Sequence, residues 1–129
     1  MTDLVKSMAA SASGMNAQST RLRLASENLA NVDTPGYRRK LVPFESMMRD
    51  PAGAVVRAGR VRLDQRELPR IYDPAHPMAD DQGYWRGSTV DLMIEVADAR
   101  EAQRSYEANL RALDQARQMT LGLLDLLRR

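Results

Sequence analysis

The sequence predicts a mainly α protein with a small β region: long N- and C-terminal helices that pair as a coiled coil, with a central β-hairpin and loop segment between them. Three observations carry this reading. Apolar residues recur at three- and four-residue steps over both terminal stretches, the period of a helix with one buried stripe. Five of the six prolines fall between residues 38 and 87, where no long helix can run through them. Aromatics make up only 5% of the chain while eight residues are Met, and Met, Ala and Leu fill helix seams better than sheet cores. At 129 residues the chain is one domain at most by size, and it divides into an N-terminal helix (1–32), a turn and β-rich segment (33–87) and a C-terminal helix (88–129).

In the first segment an apolar stripe runs through Val5, Met8, Ala12, Met15, Leu22, Ala25, Leu29 and Val32, with Ser19 and Ser26 in the same stripe. Met8, Met15, Leu22 and Leu29 stand seven apart, a seam of coiled-coil width and narrower than the face of a globular core helix. Thr2 is placed to cap the start. Ser11, Ser13, Gly14, Ser19 and Ser26 lower helix propensity, so this helix needs a partner to be stable.

The helix must end near Ala30. In Thr34-Pro35-Gly36-Tyr37, Pro35 sets the φ wanted at the second position of a turn and Gly36 accepts positive φ at the third, which predicts a type II turn. Asn31 and Asp33 suit the same exit, because short polar side chains cap carbonyls and accept left-handed angles. Beyond it, Val61 and Leu63 alternate with Arg60, Arg62 and Asp64 as in a half-buried strand. Leu68 to Tyr72 is a second short strand candidate closed by Asp73-Pro74, and Asp80-Asp81-Gln82-Gly83 reads as a turn before Tyr84 and Trp85.

Ser88-Thr89-Val90-Asp91 has the spacing of a capping box, which starts the second helix at Ser88. Its stripe is Leu92, Val96, Ala99, Ala102, Tyr106, Leu110, Leu113, Ala116, Thr120, Leu123, Leu124 and Leu127. At about 1.5 Å per residue such a helix is on the order of 58 Å long, whereas a compact chain of this size has a radius of gyration of about 14 Å. Its seam therefore extends past what its own chain can cover, and other molecules must cover the rest.

Composition narrows the function classes. There is no Cys, hence no disulfide or thiolate chemistry, and a single His, His76, leaves no His cluster for a metal or catalytic relay. No cofactor is expected. Carboxylates such as Asp80 with Asp81, or Asp91 with Glu95, stand without a nucleophile motif or phosphate-binding loop, so an enzyme is not expected. Arg38-Arg39-Lys40 beside Tyr37 raises a nucleic-acid-binding helical protein as the alternative, but no basic stripe continues on either helix and the net charge is only +2. The apolar runs are too short to span a membrane, and no basic region followed by an apolar run marks a cleaved signal.

Ser13-Gly14-Met15 through Arg21, Ala25 through Asn31, and Thr34-Pro35-Gly36-Tyr37 resemble the N-terminal signature of the bacterial flagellar axial proteins, the rod, hook and hook-associated subunits. Ala30, Asn31, Thr34, Pro35, Gly36 and Tyr37 match its core pattern Ala-Asn-x-x-Thr-Pro-Gly-Tyr. Ile71 through Tyr84, Val90-Asp91 and Arg104 through Asn109 are similar to the C-terminal half of the short rod proteins in that family. Two places depart from it: Ser88-Thr89 stand where those proteins usually carry Pro-Asn, and Glu107 where they usually carry Gln. The resemblance implies a non-enzymatic subunit of the proximal rod, the periplasmic drive shaft of the flagellar basal body, exported through the flagellar type III apparatus without signal cleavage. It implies as partners other rod subunits and copies of this chain, with the basal-body ring and the export apparatus as further neighbours, and neither nucleic acid nor insertion into a membrane. Met8, Met15, Leu22, Leu29, Val96, Tyr106, Leu110, Leu113, Leu124 and Leu127 are the residues expected at the assembly interface.

Overall fold

The computed structural model describes residues 2–47 and 55–129. Helix α1 is Thr2–Ala30 and helix α2 is Leu92–Arg128. Between them lie six short strands: β1 (Lys40–Leu41), β2 (Phe44–Met47), β3 (Val55–Ala58), β4 (Arg62–Leu63), β5 (Arg70–Tyr72) and β6 (Tyr84–Arg86). The fold is thus mainly helical, with a long helix at each end and a minor β part between.

The two helices pack antiparallel. Gly14 faces Asn109, and Arg21 reaches Asp98 and Glu101. On α2, Glu95, Ala102, Asn109 and Ala116 lie seven apart, and three of them are buried while Asn109 meets Gly14. On α1 the buried residues are Ser11, Ala17, Leu24, Ala25 and Asn28. Small side chains dominate this seam, so the two backbones approach closely: a Cβ built on Gly14 would lie 2.7 Å from the Asn109 amide nitrogen.

Both helix starts differ from the sequence reading. Thr2 is already inside α1 and does not precede it as a cap. The N-cap of α2 is Asp91, whose carboxylate accepts the amides of Met93 at 3.0 Å and Ile94 at 3.4 Å from an extended backbone of φ −103° and ψ 115°. Ser88 is drawn away from that role, because its hydroxyl donates to the Val32 carbonyl at the exit of α1. A carboxylate accepting two first-turn amides satisfies orphan donors and also complements the helix dipole.

The β part is three two-stranded antiparallel pairs: β1 with β4, β2 with β3, and β5 with β6. The first two are nested parts of one long hairpin, joined across Pro43 and Gly59 by a 2.8 Å backbone bond. β3 lies along α1, where the Val56 amide donates to the Ser13 hydroxyl at 3.0 Å. The alternation at Val61 and Leu63 gives only the short β4, with both side chains exposed. A ribbon of two strands has no second layer in which to bury them.

Candidate assembly interface

Three groups of residues organise the molecule: the exit from α1, a charged latch between the central segment and α2, and the apolar residues that the chain leaves uncovered. At the exit, the Asn31 side-chain amide donates to the Glu27 carbonyl at 2.8 Å, and the Thr34 hydroxyl donates to the Asn31 side-chain oxygen at 3.0 Å. The Tyr37 amide closes the turn onto the Thr34 carbonyl at 3.2 Å, with Gly36 at φ 73°. That is the geometry of a type II turn. Asn31 caps a carbonyl as expected, but no described non-glycine residue, Asn31 and Asp33 included, takes positive φ.

The signature residues are brought together around one that the sequence did not single out. Asn28 is 1% exposed. Its side-chain oxygen accepts the Tyr37 hydroxyl and the Lys40 amide, each at 2.9 Å, while its nitrogen donates to the Lys40 carbonyl at 3.0 Å. The chain leaving the turn is thereby stapled back onto α1 at β1. Burial raises the Tyr37 hydroxyl above its ordinary pKa, so it stays a donor. Lys40 and Glu27 form an ion pair at 3.0 Å, whose hydrogen bond raises the lysine and lowers the carboxylate. Ala30, Pro35 and Gly36 make no such side-chain contact and serve the turn through backbone conformation.

The latch is centred on Arg39. Its guanidinium donates to Glu95, which is 1% exposed, and to Asp98 at 2.6 Å, while Arg21 from α1 reaches Asp98 and Glu101 at 3.2 Å each. The Arg39 amide donates to the Thr89 hydroxyl at 2.7 Å. Beside it, Arg66 bonds the Asp64 carboxylate at 2.7 Å and the Thr89 carbonyl at 3.1 Å, and the first of these contacts holds Asp64 below the ordinary carboxylate range. This network ties α1, β1 and the start of α2 into one unit. Sequence reasoning set Arg38-Arg39-Lys40 against nucleic acid only; the inward use of Arg39 leaves no local signal, because its carboxylate partners are 56 and 59 positions away.

The residues expected at the assembly interface fall into two sets. Met8, Met15, Leu22, Leu29, Val96, Tyr106 and Leu113 are half-buried on the flanks of the helix pair. Leu110, Leu124 and Leu127 are exposed, at 46%, 45% and 80%. Leu121, Leu123 and Leu126 are exposed as well, on the last turns of α2. At the other end of α2, Leu92, Met93 and Ile94 are also open.

Among the described residues, no group of three or more His, Cys, Asp or Glu is placed to hold a metal ion, and no described helix is long and apolar enough to cross a membrane. Residues 8–38 match the family model "Flagella basal body rod protein", and residues 81–126 match "Flagellar basal body rod FlgEFG protein C-terminal". The chain is 43% identical to the flagellar basal-body rod protein FlgC of Agrobacterium fabrum, over 90% of this chain and 89% of that protein. The chain belongs to the FlgC family of flagellar basal-body rod proteins. It is 32% identical to FlgC of Bacillus subtilis, over 93% of this chain and 95% of that one, and 35% identical to FlgC of Escherichia coli O157:H7, over 88% and 90%. Membership makes it a structural subunit of the flagellar rod. The first family model spans Gly14, Asn28 and the exit turn through Tyr37, so the matched region includes the residues that set the path of the chain out of α1.

Proposed function

We propose that this subunit builds the wall of the proximal rod by packing its terminal helices against those of neighbouring subunits, so that the tube transmits torque and encloses the export channel. The helices, residues 1–32 and 88–129, act together as the tube-building unit, and residues 33–87 form the outer segment. The partners are other rod subunits and copies of this chain, with the basal-body ring and the export apparatus as further neighbours. The subunit acts in the periplasm without catalytic activity, and reaches it through the flagellar export route with no cleaved signal. The nucleic-acid alternative gains no support from the comparisons.

The observation that carries this reading is the set of leucines at 121, 123, 124, 126 and 127, all exposed on the last turns of α2. Fully burying a leucine side chain stabilises by about 1.5–3 kcal/mol, so a row of them in water favours association. The test is Leu124→Ala with Leu127→Ala, in a strain lacking the native copy. The isolated subunit keeps its stability within about 0.5 kcal/mol, because surface changes cost little, while rod incorporation and swimming fall sharply. Normal motility in this variant, with Arg111→Ala non-motile, would place assembly on the wrong face of α2.

A further inference from the structure

The β5–β6 ribbon stands apart from the helix pair: within the described residues it packs on neither helix to any extent. A two-stranded ribbon is marginal by itself in water. At its base Arg70 and Arg86 sit directly opposite each other across the ladder, and like charges in that position repel. Arg70 lies over the Tyr84 ring at 4.5 Å, and Arg86 comes no closer to the exposed Glu67 carboxylate than 3.7 Å. The base is therefore two neighbouring guanidiniums without a tightly held carboxylate. The tip carries the opposite charge. Asp80 is fixed there by accepting the Gln82 and Tyr84 amides at 2.9 and 3.0 Å, and Asp81 beside it is exposed. Tyr72, between tip and base, is 64% exposed.

We propose that this ribbon is a head-to-tail contact between copies of the chain, the Asp80-Asp81 tip of one copy docking on the Arg70–Arg86 base of the next. Charge complementarity selects a second copy as the occupant, since each copy carries both halves of the contact. A guanidinium takes a carboxylate with two parallel bonds, and Tyr and Arg are types that dominate the energetic centres of interfaces. Tip and base are different surfaces, so the contact is heterologous and continues from copy to copy, as a closed ring or an open helix. It goes beyond the helix packing proposed above, and rests on it only in that assembly sets copies side by side.

The chain has no Cys, so Glu67→Cys with Gln82→Cys places one thiol beside the base and one beside the tip, leaving Arg70, Arg86 and Asp81 intact. Rods purified from cells carrying this pair and mildly oxidised are expected to give dimers, trimers and higher bands on a non-reducing gel. Monomer alone from rods with normal subunit content overturns the proposal, and so do bands that stop at the dimer, which mark a symmetric contact. In either case the helix reading stands, since the rods have formed. Charge exchange is the independent arm: Asp81→Arg should lower incorporation about ten-fold, and Asp81→Arg with Arg86→Asp should regain most of it. Equal incorporation of both variants and the parent would overturn the contact even if the cysteine pair is kept out of rods.

Discussion

Asn28 and Gly36 show how much of the exit from α1 rests on single residues. Asn28 satisfies one hydroxyl and both backbone groups of Lys40 from a buried position, so Asn28→Ala strands those partners. Leaving buried polar groups unpaired costs about 1–3 kcal/mol each. The variant is expected to lose about 2–4 kcal/mol in urea unfolding, while a change on the open face of the same helix, such as Ser26→Ala, stays near zero. Gly36 has no atom within 4 Å of where a Cβ would stand, so its requirement is conformational alone. Gly36→Val should cost about 1–2 kcal/mol, and Gly36→Asn distinctly less; equal losses would mean that the turn is not what restricts the position. The turn was legible because Pro35 and Gly36 announce it with their own backbone preferences. Asn28 was not, because nothing in an asparagine of a helix's last turn reveals that Tyr37 and Lys40 fold back onto it.

At the scale of elements, the start of α2 was misplaced by a few residues for a physical reason. Ser88 and Thr89 both have cap chemistry, but both are buried and bonded elsewhere, to Val32 and Arg39, which leaves Asp91 to cap. These are the positions where the family usually carries Pro-Asn, and here the Ser88 hydroxyl ties to the exit of α1 while that of Thr89 joins the latch. Removing Arg39 leaves Glu95, 1% exposed, without its cation, so Arg39→Ala should cost about 3–5 kcal/mol, whereas Arg39→Met with Glu95→Leu should recover much of it. Asp64 contributes to the pH dependence, in the same direction as Glu27 and Asp80, whose pKa values are also lowered. Its folded pKa is depressed by Arg66, so the stability it adds is present above its unfolded value of about 3.9 and is lost as pH falls below that through the lower folded value. Trp85 fluorescence and circular dichroism from about pH 7 to about pH 2 should show an acid transition beginning near that unfolded value, and Asp64→Asn should weaken the neutral protein while making the curve flatter.

For the whole molecule, periodicity was enough to give two end helices and a minor β part, because a stripe at three- and four-residue steps survives any tertiary detail. Which row of α1 turns inward was only partly legible: Ser11, Ala17, Leu24 and Asn28 are buried outside the expected stripe, and of that stripe only Ala25 is buried. The heptad row of Met8, Met15, Leu22 and Leu29 remains half-open beside it. With so thin an internal seam, most helix stability has to come from packing, and circular dichroism of the dilute subunit is expected to show incomplete helicity and a broad melt; a sharp, fully helical transition would contradict this. The pairing of first and last segments also has a kinetic side. Arg21 meets Glu101 across 80 positions of sequence and Arg39 meets Asp98 across 59, and contacts so remote form slowly because the chain must close long loops to reach them. Whichever end emerges first from a ribosome or a narrow conduit, α1 has no mate until the other end arrives, so the polypeptide stays pliable for the whole of its passage and acquires its shape only on arrival.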